Sequence, residues 1–215
     1  MKNEQAHIID MNEIKVSPRK TTLLLNQNPI AVPSLPNKHP LIPLLIFKLF
    51  NEGLLKTDSE LLVINMNHDL IPDYLKHSLK ALCNENQDQC VTSFKKIKRK
   101  VLLYSPENSD EISGSKSRKQ ILSMIRKRKS TTHVIITGFS ENIKSEFFTF
   151  HKKKKDDQLD GPYTSHSWFS IASEADVSLI VVLSSIGLSN VRSQRFFLKF
   201  DYVYDIPDEN FTICQ

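Results

Sequence analysis

An α/β fold with a mostly parallel sheet follows from three observations. Near-continuous apolar runs of strand length recur, among them Glu60 to Met66, Thr132 to Phe139 and Val177 to Ser184. Such runs suit strands buried on both faces. Between them lie segments whose apolar residues fall at spacings of three and four, the period of an amphipathic helix. The length of 215 residues, 40% hydrophobic and 25% charged, suffices for one domain with a sizeable core and crowds two.

Residues 1–20 carry few apolar residues and no sustained period, so they are expected to form a flexible arm ahead of a single domain over 21–215. Thr21 to Asn26 and Pro29 to Val32 predict a strand or hairpin. From Pro40, the positions of Leu41, Leu44, Leu45 and Leu49 predict a helix that Gly53 ends. After the strand at 60–66, Asp69 and Pro72 introduce a helix bearing Tyr74, Leu75, Leu79 and Leu82. A polar connection and the basic run Lys95 to Lys100 then lead to a short strand, Val101 to Ser105.

The stretch Pro106 to Ser115 reads as a loop rich in Ser, Asp and Asn. A helix is predicted from about Ser117 to Lys129, with Ile121, Leu122 and Ile125 inward, feeding the strand at 132–139. Glu141 to Phe150 suits a short helix, His151 to Gly161 an exposed loop, and Ser167 to Ala175 another helix before the strand at 177–184. The partly alternating run Arg195 to Tyr204 is expected to be an outer, antiparallel strand.

Composition narrows the function classes. Cys83, Cys90 and Cys214 include no C-x-x-C pair, which favours a reducing compartment over a disulfide or zinc framework. The first ten residues lack an apolar signal core, and Leu41 to Phe50 falls short of the roughly 20 residues a bilayer span needs, so a soluble intracellular protein is expected. The histidines lack ligand spacing, and no metal or catalytic set is assigned.

Two stretches carry site chemistry. Val32-Pro33-Ser34-Leu35-Pro36-Asn37-Lys38-His39 stands where many α/β proteins place a phosphate loop, but keeps only the lysine of G-x-x-x-x-G-K-[ST]. Prolines remove N–H donors there, glycines are missing, and His39 replaces the magnesium-binding hydroxyl. A loop that merely starts a helix is the favoured reading, with no catalytic residue and no cofactor. The second signal is basic: Lys95, Lys96, Lys98, Arg99 and Lys100; Lys116, Arg118, Lys119, Arg126, Lys127, Arg128 and Lys129; and Lys152, Lys153, Lys154 and Lys155. Much of the +5 net charge is clustered in these groups. Phosphate backbones reward such clusters by releasing counterions, without reading sequence. Phe147, Phe148 and Phe150 are candidates to stack on bases, although such a stripe is more often core.

The order of parts resembles the RecA-type core of the recombinase family, including its small degenerate paralogues in DNA-repair complexes. The resemblance rests on Val63-Ile64-Asn65-Met66-Asn67 with the helix from Pro72 to Leu82, on Ile121 to Lys129 with Val134-Ile135-Ile136-Thr137, and on Trp168 to Ser184. It implies a three-layer RecA-like domain in which Thr137 or Gly138 stands where active members keep a magnesium-binding aspartate. Ser184 or Ser185 is nearest their polar sensor position. It further implies a nuclear pseudo-ATPase, a subunit of the Shu-complex kind, that assembles with other RecA-like subunits in homologous recombination and binds DNA. The alternatives are an Elongator-like, cytoplasmic subunit acting on tRNA and a divergent NTPase using Lys38. No membrane partner is expected.

Overall fold

The computed structural model describes residues 13–26, 41–55, 58–65, 72–85, 94–105, 122–137, 168–184 and 200–206. These build strands β1 (Thr21–Asn26), β2 (Glu60–Asn65), β3 (Val101–Tyr104), β4 (Thr131–Thr137), β5 (Ser178–Ser184) and β6 (Tyr202–Ile206). Helices α1 (Leu41–Asn51), α2 (Pro72–Glu85), α3 (Phe94–Lys100) and α4 (Trp168–Ala175) accompany them, with a further helical turn and a half at 122–127. One sheet runs in the order β3-β2-β4-β5-β1-β6, and every pairing is parallel.

That order fixes the layers. The chain moves outward from β1 to β2 and β3, then returns through β4 and β5 to β6. Right-handed crossovers in opposite directions put their helices on opposite faces. Two cores result. Leu24, Leu61, Val63, Ile135 and Ile180 pack with α1, α2 and Ile97 of α3. Their strand neighbours Leu23, Leu62, Ile64, Val134 and Val181 pack with Leu122, Ile125 and Ala172. Alternate residues of one strand thus serve both cores, which is why β2, β4 and β5 read as unbroken apolar runs.

Helix α1 is buried along Leu41 to Phe50, even at Lys48, whose Nζ lies 3.0 Å from a Glu52 carboxylate oxygen. Pro43 is tolerated because the first turn has no intrahelical acceptors for its N–H groups. Gly53 ends the helix at φ +67, a left-handed conformation that glycine adopts without steric cost.

The sequence expectation of an antiparallel last strand is overturned, because β6 runs parallel to β1, with Leu23 opposite Val203 and Leu25 opposite Asp205. The connection 185–201 is long enough to return to the starting edge of the sheet, whereas an antiparallel neighbour needs only a hairpin. The alternation along β6 reflects its edge position, where Val203 and Asp205 are exposed and Ile206 is buried. The basic run at 95–100, which the sequence assigns to no element, is helix α3, because Phe94 and Ile97 lie three residues apart and anchor it on the first core.

Residues 1–12 of the expected arm lie outside the described residues. Within 13–20, Ile14 is 4% exposed and joins the first core. The Tyr204 hydroxyl donates to the Glu13 carbonyl and accepts from the Lys15 N–H. The Lys15 carbonyl accepts from the Thr22 hydroxyl.

Candidate nucleic-acid interface

Open parallel sheets bind ligands beyond the carboxyl ends of their strands. Here the four central strands end in polar, uncharged residues, whereas β6 ends in Asp205 and Ile206. Asn26 of β1 lies opposite Ser184 of β5, and Asn65 of β2 opposite Thr137 of β4. Asn65 reaches the Ser105 hydroxyl beyond β3 at a long 3.5 Å. Asn65 and Thr137 are 1% and 0% exposed, and the Thr137 hydroxyl has no hydrogen-bond partner among the described residues. Amides and hydroxyls can orient a neutral polar group but supply no negative charge for a hard divalent cation. No cluster of three or more His, Cys, Asp or Glu suited to a metal is present among the described residues. The degenerate loop with Lys38 and His39 lies outside the described residues, as do Ser185 and Phe147, Phe148 and Phe150.

The amino ends of the strands carry the charge. Among the described residues, four ion pairs cross this edge, each bridging elements that lead into neighbouring strands. Arg128 reaches Glu60 at 3.7 Å, linking the start of β4 to that of β2. Arg126, two residues earlier, pairs with Glu174 of α4. Arg19 pairs with Asp176 at 2.6 Å, joining the entries to β1 and β5. Lys20 pairs with Asp201 at 2.9 Å, joining β1 to β6. Basic and acidic entries therefore alternate across β4, β5, β1 and β6.

Arg19 and Asp176 both hold left-handed backbone, at φ 61 and 57, so their side chains meet across two adjoining turns. A hydrogen bond from Arg19 holds Asp176 below the usual carboxylate range, and raises the arginine in turn. Burial pushes Asp201 up, but the Thr21 N–H, the Lys20 ammonium and the Thr21 hydroxyl together hold it below its ordinary value. Sequence reasoning missed these acids. Their only signal is position, since each stands at or within a few residues of a strand start.

The basic clusters divide. In α3, Lys95, Lys96, Lys98 and Arg99 are exposed and Lys100 is half-buried. Arg126, Lys127, Arg128 and Lys129 are exposed as well, but both arginines are held by the acids just named. Lys116, Arg118, Lys119 and Lys152 to Lys155 lie outside the described residues. His133 is buried in β4 beside the Thr132 hydroxyl, and burial lowers its pKa to about 4, which marks it as a neutral core residue.

The strand order and the two helical layers define a class, a three-layer α/β domain around an all-parallel sheet. Among solved structures, the chain is similar to the RadB recombinase, with a TM-score of 0.50 and 9% identity over 89% of this chain and 76% of that one. The fold is RecA-like. No protein-family model matches the chain, and no curated protein matches it by sequence.

Proposed function

We propose that the chain is a RecA-like subunit without nucleotide hydrolysis that serves a hetero-oligomeric DNA-repair complex in homologous recombination, of the Shu-complex kind. It acts in the nucleus and binds DNA through its lysine-rich clusters. One observation carries this reading: in a RecA-like fold, the strand that would end in a magnesium-binding aspartate ends in buried, uncharged Thr137, while exposed positive charge collects elsewhere. The recombinase neighbour supports the pathway by likeness of fold, and the exposed lysines support a sequence-independent polyanion partner.

The reading is tested by titrating the full chain, with its co-purifying subunits, with single-stranded and duplex DNA from low to physiological salt. Expected is binding to both forms that falls steeply as salt rises. Preference for tRNA over either DNA would move the chain to the Elongator-like alternative. Binding indifferent to salt would contradict the lysine clusters as the site.

A further inference from the structure

We infer that the two described basic clusters, alike in sequence, do different work: the outward face of α3 contacts the phosphate backbone, whereas Arg126 and Arg128 tie neighbouring strands together. This division rests on the DNA-binding reading above.

Helix α3 concentrates its charge on one side. Phe94 and Ile97 turn inward, and at 3.6 residues per turn this leaves Lys95, Lys96 and Arg99 on the opposite, exposed face, with Lys98 at its flank. Cations at Lys98 to Lys100 suit the negative end of the helix dipole, so their position alone implies no ligand. Lys95 and Lys96 have no such account. They occupy the first turn, where the dipole disfavours positive charge and where no acidic residue stands. The pairs Lys95 with Arg99 and Lys96 with Lys100 are also like charges at a spacing of four, which weakens a helix. A helix this short thus carries cations against its own stability, and a polyanion lying along it would remove the conflict.

The second cluster shows the contrary pattern. Arg126 and Arg128 each face an acid supplied by another element, Glu174 and Glu60. Their charge is compensated within the fold, and binding to phosphate would break a tie. Helix α3 leads directly into the outermost strand β3, at the opposite end of the sheet from β6.

Two variants of the full chain test the division. The first combines Lys95→Gln, Lys96→Gln, Lys98→Gln and Arg99→Gln; the second combines Arg126→Gln and Arg128→Gln. Glutamine keeps helix propensity close to that of lysine and arginine, and removing repulsion should leave the first variant melting no lower than the parent. Expected for it is about a tenfold or greater loss of duplex affinity at low salt, with the log–log salt slope flattened by about 0.9 for each phosphate no longer neutralised. The second variant is expected to keep the parental slope and to melt slightly lower.

Parental affinity and slope in the first variant, or loss of slope only in the second, would overturn the inference while leaving DNA binding by the chain intact. No DNA binding by the parent would remove both readings. Phosphatidylserine-containing vesicles that bind the parent more tightly than duplex DNA, and lose that binding in the first variant, would assign α3 to a membrane surface and overturn the inference too.

Discussion

At their carboxyl ends the four central strands finish in Asn26, Asn65, Thr137 and Ser184, whereas the amino ends are entered past Glu60, Arg128, Asp176, Lys20 and Asp201, all of them joined in ion pairs. The first edge is where a parallel sheet meets its ligands, and in its four central strands the last residues are amides and alcohols. The second edge uses its charge to hold strand entries in order. Each exposed pair is individually weak and screened by salt, but four in succession bias β2, β4, β5, β1 and β6 towards one arrangement. The contrast teaches that a net charge of +5 describes no single surface of this molecule.

Four perturbations break or sharpen that contrast. The largest effect is expected from Thr137→Asp, which would put back the acid that the resemblance leads one to look for. Thr137 is fully buried, so an unpaired carboxylate there should cost about 3–5 kcal/mol, read as a drop in denaturation midpoint, and should create no magnesium-dependent hydrolysis.

Next comes pH. His133 has a folded pKa of about 4 against an ordinary 6.5, so the unfolded chain binds its proton first. The associated stability is present in full above about pH 6.5 and is lost as pH falls towards 4, by up to about 3 kcal/mol. His133→Leu should flatten the stability profile over that window, and an unchanged profile would remove His133 as its source.

Asp201→Ala should follow, because it strands the buried Thr21 N–H, which donates to that carboxylate at 2.8 Å. A loss of about 1–3 kcal/mol is expected, with faster hydrogen exchange along β6. The smallest effect is reserved for Arg126→Gln. Its pair with Glu174 is largely exposed, and the cost should be below about 1 kcal/mol and shrink further in high salt.

Much of the fold was legible in the sequence because its strongest signals are local. The apolar runs of β2, β4 and β5 follow from burial on both faces, and the spacing of Leu75, Leu79 and Leu82 follows from one helical face. The direction of β6 was not legible, since alternation at a sheet edge reports exposure rather than chain polarity. Helix α3 was hidden because only Phe94 and Ile97 mark its apolar side among five basic residues.

The site was legible by half. The absence of an acid at Thr137 or Gly138 and the basic composition of 95–100 and 126–129 could be read along the chain, whereas the end of β4 at Thr137, two residues before the expected Phe139, could not. Which of those cations are compensated could not. Glu174 lies 48 residues from Arg126, Asp176 lies 157 from Arg19, and Asp201 lies 181 from Lys20, and only the parallel sheet brings them together.

The proposed function holds that this RecA-like fold works without nucleotide hydrolysis. Its most direct test is the melting temperature of the full chain with millimolar ATP and magnesium, set against the same measurement with ATP and no metal. The account predicts no shift in either. A ligand present at a hundredfold excess over its Kd would add about 2.7 kcal/mol. A magnesium-dependent rise of several degrees that disappears in Lys38→Ala would contradict the account and make Lys38 part of a working nucleotide site.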